Sequence, residues 1–309
     1  MSSKVEAAAA LLGPNVRREV PIGPLTTYRV GGAAALYFAV ESEGDLATLT
    51  RAVSATGVAV LVVGKGSNLL VADAGFDGVA VALGDAFDTI TIDGTTVTAG
   101  AAAALPVVAR RTAAAGLTGF EWAVGVPGSI GGAVRMNAGG HGSDMAASLT
   151  RVRVIDLAAG EDAWMAAAAL ALGYRRSSIA RDHVVVTAEL ELHTGDRTRS
   201  ESELAEIVRW RRENQPGGQN AGSVFANPDG DSAGRLIDTA GAKGLRLGTV
   251  AVSDKHANFF IADPGGSADD VLALMKEVRD RVHEVHGVWL HAETRLVGFD
   301  GNPALEVEG

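Results

Sequence analysis

The sequence predicts an α+β fold, and three observations predict it. Val60-Leu61-Val62-Val63 is an uninterrupted apolar run, read as a strand buried on both faces. Residues 79–83, 89–92 and 95–99 read as short strands joined by turns at Gly84-Asp85 and Asp93-Gly94. Four segments, 43–56, 105–115, 200–214 and 267–286, read as helices, the last three with start or stop signals of their own.

In chain order, residues 4–12 read as a short amphipathic helix ended by Gly13-Pro14. Residues 28–40, YRVGGAAALYFAV, predict two strands around Gly31-Gly32, and 43–56 a helix ahead of a strand at 58–63. The helix at 105–115 closes on Gly116, where a left-handed terminal residue is easiest. Val, Ile and Leu enrichment predicts strands at 150–157 and 184–193, with Thr194-Gly195-Asp196 as a linker. The helix at 200–214 has a capping-box start, Ser200 to Glu203. The last helix begins at Ser267 with Asp269 and Asp270 in its first turn and ends before Gly287. No internal repeat is present.

Composition bounds the function. A chain of 309 residues, 47% hydrophobic, is long enough for two or three domains with cores of their own. No run reaches the roughly 18 apolar residues of a membrane span, and MSSKVEAAAALLGPNVRREV lacks a long apolar leader region. The expectation is a soluble cytoplasmic protein. The absence of cysteine removes disulfides, thiolate metal sites and a cysteine nucleophile. His256 stands without a second histidine or paired carboxylate at ligand spacing, so no metal is expected. A net charge of −10 disfavours nucleic acid and means that an anionic substrate needs locally clustered arginines.

Residues 119–142, GFEWAVGVPGSIGGAVRMNAGGHG, concentrate glycine, at 125, 128, 131, 132, 139, 140 and 142 among others. Each interior glycine costs a helix or strand about 0.5–1 kcal/mol, so the missing side chains have a use. Close approach of backbone N–H groups to an anion such as a pyrophosphate is one; a glycine-rich surface loop is the other. A second stretch, VLVVGKGSNLLVADAGFDGVAVAL at 60–83, breaks a strand with Gly64-Lys65-Gly66-Ser67-Asn68. Ala59 stands where a Walker A loop needs glycine and Gly66 where it needs Ser or Thr. Leu69 likewise occupies the third glycine of the Rossmann fingerprint.

GKGSNLLVADAGFDG and GVPGSIGGAVRMNAGGHG together resemble the FAD-binding half of the UDP-N-acetylenolpyruvoylglucosamine reductases, relatives of the vanillyl-alcohol-oxidase flavoproteins. TTYRVGG (26–32), GYRRSS (173–178), AGSVFANP (221–228), SDKHANFFIAD (253–263) and VWLHAETRLVG (288–298) match further signatures of that family in order, so the resemblance spans about residues 20–300. It implies an N-terminal helix and lead-in over 1–24 and a two-part FAD-binding domain over 25–195, its parts about 25–83 and 84–195. A smaller α+β substrate-binding domain follows over 196–309. It also implies reduction of an enolpyruvyl ether on UDP-N-acetylglucosamine, with NADPH as hydride donor and non-covalent FAD. No obligate protein partner is implied.

The resemblance carries roles onto particular residues. Gly64, Lys65, Gly66, Ser67, Asn68 and Leu69 form one cofactor-holding loop. Gly125, Pro127, Gly128, Ser129, Gly131, Gly132, Asn137 and Gly139 form the other. Arg175 and Glu293 match the groups that meet charge developing on the substrate carboxylate, and Ser223 matches the proton donor. Tyr174, Arg212, Asn227 and Asn258 are the expected substrate contacts. Taken singly, Arg175 also fits a solvated charge, Glu293 a partner of Arg295 and Ser223 a turn serine.

The chain departs from the family at Ala226, the position of a usual lysine, for which Arg209, Arg212 and Arg235 are candidate replacements. Leu172 stands at a usual phenylalanine, and Arg135 lies beside the glycine-rich loop. The short passage from Val185 to Ser200 matches the branch without a tyrosine-bearing insertion. Two other readings share the fold: an FAD oxidase of a small hydroxylated compound, and a flavin-binding module without catalysis. The second has no need of Arg175, Ser223 and Glu293 together.

Overall fold

The helices and strands follow from local signals that the tertiary structure then selects among. The computed structural model describes residues 2–299; Met1 and 300–309, the outer ends of the expected first and last domains, lie outside the described residues. In chain order, α1 (Ser3–Leu12), β1 (Arg17–Pro21), β2 (Ala33–Val40), α2 (Glu43–Thr56) and β3 (Val60–Val62) lead to β4 (Leu69–Val71) and β5 (Phe76–Leu83). Next come β6 (Ile90–Asp93), β7 (Thr96–Gly100), α3 (Leu105–Ala114), α4 (Ile130–Met136), β8 (Leu149–Asp156), β9 (Glu161–Ala166) and β10 (His183–Glu191). The chain continues through α5 (Arg197–Asn214), α6 (Ala233–Thr239), β11 (Val250–Val252), β12 (Phe260–Ala262), α7 (Ala268–His286) and β13 (Arg295–Val297).

These elements gather into two units that are not linear segments. Residues 2–18, 35–65 and 77–211 form the first, and 19–34, 66–76 and 212–299 the second. In the first unit β2, β5 and β3 lie side by side in that order, with β3 parallel to β5. A second, antiparallel sheet has the order β9-β8-β10-β7-β6. Helix α2 forms because Ser42 caps it, accepting from the Asp45 amide at 3.2 Å, and Gly57 closes it in the left-handed region. Its Leu46, Leu49 and Val53 recur at helical spacing and are buried among Val79 and Val81 of β5.

In the second unit β13 pairs parallel with β4, Arg295 opposite Leu69. Helix α7 buries Val271, Leu274, Met275, Val278 and Val282 at helical spacing, in one core with Val250, Phe225 and Phe260. Ser267 caps α7 as its sequence predicts, accepting from the Asp270 amide at 3.1 Å. Asp73 adds a second cap, accepting from the Ala268 amide at 3.0 Å and from the Ser267 hydroxyl at 2.5 Å. No helix of the described residues is long and apolar enough to cross a membrane.

The structure differs from the sequence expectation at several places. Residues 28–40 hold one strand, not two, because Arg29 (φ 55°) and Gly31 (φ 108°) take left-handed backbone conformations that a strand excludes. The glycine-rich stretch contains α4, whose Ile130, Ala133 and Val134 are buried. The helix expected at 200 starts at Arg197, with Asp196 accepting from the Arg199 amide at 2.8 Å. Two further elements, β9 and α6, carry too little periodicity to predict; β9 is exposed at nearly every residue.

Gly31 shows how tightly the second unit is closed. A Cβ there would collide with the Val71 carbonyl oxygen, and its φ of +108° already strains any other residue. Gly31→Ala is therefore expected to lower stability by roughly 2–4 kcal/mol, read from the midpoint of urea unfolding. An unchanged midpoint would mean that this contact relaxes freely.

Candidate active site

Within the first unit, the two glycine-rich loops meet at Gly64. A Cβ on Gly64 would lie 2.5 Å from the Ser129 hydroxyl oxygen, so the end of strand β3 approaches the loop before α4 as closely as a bare backbone allows. Several of the glycines are explained by such packing of chain on chain. Gly131 lies against Ala101, to whose carbonyl its amide donates at 2.9 Å, and Ile130 donates to Ala103 at 2.9 Å. Gly125 lies under Ile207 and His141, and Gly139 under Asp144 of a tight hairpin. Gly132 and Gly140 differ: a Cβ there would meet its first neighbour only at 3.7 Å and 3.9 Å. Their open faces are where a bound group can lie against the backbone.

Asn137, expected at the cofactor, is 3% exposed and its side chain is engaged within the unit. It ends α4 in the left-handed conformation (φ 39°), and its Nδ2 donates to the Gly173 carbonyl at 3.0 Å and to Asp144 at 3.1 Å. Its Oδ1 accepts from the Ala146 amide at 2.9 Å. It thus ties the glycine-rich segment to residues 173–178. Two more bonds complete that seam: Ser177 Oγ donates to the Arg135 carbonyl at 2.6 Å, and Arg175 Nη2 donates to the Gly139 carbonyl at 3.1 Å. Arg175, half-buried with φ 57°, also lies over the exposed Tyr174 ring at 5.2 Å.

Within the second unit, the segments carrying Ser223 and Glu293 are joined by an isolated antiparallel bridge. The Glu293 amide donates to the Val224 carbonyl at 2.8 Å, Phe225 bridges Ala292, and both Ser223 and Glu293 are half-buried. Asn258, 2% exposed, clamps this ladder: its Oδ1 accepts from the Phe225 amide at 3.0 Å and its Nδ2 donates to the Phe225 carbonyl at 2.8 Å. With its amide spent on Phe225, Asn258 acts on the site by holding Ser223-Val224-Phe225 in place. Asn68 is used similarly, its Nδ2 donating to the Glu293 carbonyl at 3.0 Å while its own carbonyl accepts from Arg295 at 3.0 Å.

The remaining expected residues, Lys65 apart, belong to the same unit. Asn227 Oδ1 accepts from the Ala233 amide at 3.0 Å, at the start of α6. Arg212 is exposed, and its carbonyl accepts from Lys255 Nζ at 2.6 Å. Arg235, a candidate replacement for the lysine missing at 226, forms an ion pair with Asp231 and holds that carboxyl down at about 2. Gly66 takes φ 61°, and its carbonyl accepts from the Thr27 amide at 3.1 Å. Lys65 is exposed in the first unit, and Ser67 and Leu69 are half-buried in the second.

Sequence reasoning missed Glu121. Burial pushes its carboxyl up, but hydrogen bonds from Ser200, from its own backbone, from Thr118 and from Gly119 outweigh that and hold it below the ordinary value of 4.5. The available signal was a charge set between two large aromatics, Phe120 and Trp122. Nearby, burial and the Arg211 charge lower the pKa of His141, whose ring stands edge-on to Trp210 at 5.2 Å. Among the described residues, no three His, Asp or Glu gather as a metal site requires.

Residues 34–165 match the family described as FAD binding domain, and residues 214–297 match UDP-N-acetylenolpyruvoylglucosamine reductase, C-terminal domain. The UDP-N-acetylenolpyruvoylglucosamine reductase of Heliobacterium modesticaldum is 43% identical over 92% of this chain and 91% of its own. That of Paramagnetospirillum magneticum is 42% identical over 91% of each. The crystal structure of UDP-N-acetylenolpyruvylglucosamine reductase from Thermus caldophilus aligns with a TM-score of 0.80 at 35% identity, covering 91% of this chain and 99% of that one.

Two expectations follow from the buried polar groups. Asn258→Ala leaves the Phe225 amide and carbonyl unpaired in the core and should cost about 2–4 kcal/mol, with faster hydrogen exchange at Phe225. Unchanged exchange at Phe225 would remove the clamp. A carboxylate with a lowered pKa contributes stability that is present above its unfolded value of 4.5 and lost as the pH falls through its folded value. Wild type should therefore lose more stability than Glu121→Gln as the pH falls from about 6 to about 3 in acid unfolding curves.

Proposed function

The chain belongs to the UDP-N-acetylenolpyruvoylglucosamine reductase family, and on that premise we propose that Arg175, Ser223 and Glu293 carry the substrate half of its reaction. The enzyme is an FAD-containing oxidoreductase that reduces UDP-N-acetylglucosamine enolpyruvate to UDP-N-acetylmuramate with NADPH, a step of peptidoglycan precursor synthesis. The chemistry supplied by bound FAD is hydride relay between NADPH and the vinyl carbon. The residues present fit that cofactor, because Gly132, beside the junction of Gly64 and Ser129, and Gly140, beside Val126, keep open backbone faces. The residues proposed to hold it are 64–69 and 125–140, without a covalent bond.

Adding hydride to the vinyl carbon throws negative charge toward the adjacent carboxylate, so a donor poised there lowers the barrier. Arg175 is suited to meet that charge, since Asn137, Ser177 and the Gly139 carbonyl hold its loop against the glycine-rich segment before any substrate arrives. Glu293 is proposed as the second hydrogen-bonding group at that charge, acting as the carboxylic acid because a carboxylate would repel it. Ser223 is proposed to protonate the other carbon. A serine hydroxyl is a weak acid, so it works as a relay whose proton is replaced.

The observation that carries this reading is the backbone hydrogen bond joining Val224 to Glu293, which holds the segment bearing the proposed proton donor against the one bearing the proposed hydrogen-bonding group. Tyr174, Arg212 and Asn227 are proposed to contact the nucleotide sugar, with Asn258 positioning the donor strand. The proposed compartment is the cytoplasm, where NADPH is supplied. An oxidase of a small hydroxylated compound is not favoured, since residues 214–297 match the reductase's own C-terminal domain.

Half-reactions separate these roles. Ser223→Ala should still bind FAD and be bleached by NADPH, while turnover falls by about 10²–10⁴, the contribution of a positioned general acid. Arg175→Ala and Glu293→Ala should slow reoxidation by the enolpyruvyl nucleotide by about 10²–10³ and spare reduction by NADPH. Stopped-flow flavin absorbance reads both. Near-wild-type reoxidation in Ser223→Ala would assign the proton to another group, and equal losses in both half-reactions would reduce Arg175 and Glu293 to structural parts.

A further inference from the structure

Glu121 is a buried carboxylate that none of these steps uses. It is 5% exposed, and its two oxygens are engaged separately: Oε2 accepts from the Gly119 amide at 2.7 Å and Oε1 from the Ser200 hydroxyl at 2.6 Å. Ser200 is 2% exposed and lies on the inner face of α5, not at its cap. Farther along that face, Ile207 presses on Gly125, where a Cβ would meet its Cγ2 at 3.0 Å. Helix α5 therefore backs the segment 121–125 from end to end, hydrogen-bonded at Glu121 and packed at Gly125. The next residues, Val126-Pro127-Gly128-Ser129, are the loop that meets Gly64.

A second contact lies farther along the helix, where Trp210 of α5 meets His141 at 5.2 Å. An apolar pair at 121 and 200 would hold the helix against the core as well, without the cost of desolvating a carboxylate. What an apolar pair lacks is direction. Two short hydrogen bonds to one carboxylate fix both the rotation and the slide of α5 against residues 119–125, and Leu204 packing in the same core cannot.

We propose that Glu121 and Ser200 form a positioning pair for the cofactor-holding loop, locking α5 to residues 119–125 so that residues 126–132 present their backbone in the conformation that retains FAD. The proposal rests on the reading that this loop holds the cofactor.

The test is the rate of FAD release from each holoenzyme, followed by the rise of free-flavin fluorescence, alongside its melting temperature. Ser200→Ala should release FAD about tenfold faster, which corresponds to one hydrogen bond to a charged group. Glu121→Ala should be at least as fast, Glu121→Gln intermediate because one acceptor oxygen remains, and the double variant no faster than Glu121→Ala alone. Leu204→Ala, a core truncation on the same helix, should melt lower yet release FAD at the wild-type rate. Should Glu121→Ala fail to fold, the comparison of Ser200→Ala with Leu204→Ala carries the test. Wild-type release from Ser200→Ala, or release from Leu204→Ala as fast as from Ser200→Ala, overturns the pair's role. Gly132→Ala tests the loop itself: faster release there with no effect at Ser200 sinks the pair alone, and wild-type release in both sinks the loop reading with it.

Discussion

Two stretches of backbone can lie face to face only where a Cβ is missing, and both units of this protein depend on that constraint. In the first unit Gly64 meets Ser129, Gly131 meets Ala101 and Gly139 meets Asp144. In the second, Gly31 packs on Val71, Gly32 on Asp73 and Gly66 on Leu25. In the second unit the neighbours met are backbone carbonyl oxygens, and in the first they are the short side chains of Ser129, Ala101 and Asp144, so in both the groups that emerge beside these contacts are placed by close chain packing. These glycines let the chain fold back on itself tightly enough to leave Gly132 and Gly140 bare at the surface of the arrangement.

Close approach of bare backbone leaves polar groups to be satisfied, and side-chain amides and carboxyls do this, Asn137 and Asn258 from the interior, Asn68 half-buried and Asp73 exposed. Asn137 joins α4 to residues 173 and 146, Asn258 brackets Phe225, Asn68 reaches the Glu293 carbonyl, and Asp73 caps α7. Each uses a donor or acceptor that would otherwise be orphaned in the interior. Arg175, Ser223 and Glu293 project from segments whose backbones are already tied down, so on the roles proposed for them binding substrate need not order them.

Helix α5 shows where short-range signals mislead. Ser200 and Glu203 have the spacing of a capping box, yet the helix starts three residues earlier on Asp196, and the Ser200 hydroxyl turns inward to Glu121. A cap needs only local backbone, and either residue could serve. The choice is made by a carboxylate 79 residues away that a buried hydroxyl can satisfy.

The sequence by itself determined the helices α2, α3 and α7, the last with its cap, and the strands of the antiparallel sheet other than β9, because burial of an apolar stripe and satisfaction of terminal amides are local demands. Its glycine-rich and C-terminal motifs, taken together in order, also identified the family. Only the tertiary structure decided that residues 28–32 are a turn, that 130–136 are a helix, and that residues 19–34 and 66–76 join the C-terminal unit. It also decided which asparagines face inward: Asn137 and Asn258 have the side chains of ligand contacts, but their amides are consumed by backbone groups that no short motif foretells. The physical reason is the same throughout. Periodicity and capping are short-range, whereas close approach and buried hydrogen bonding depend on residues tens to hundreds of positions away, which only the folded chain brings together.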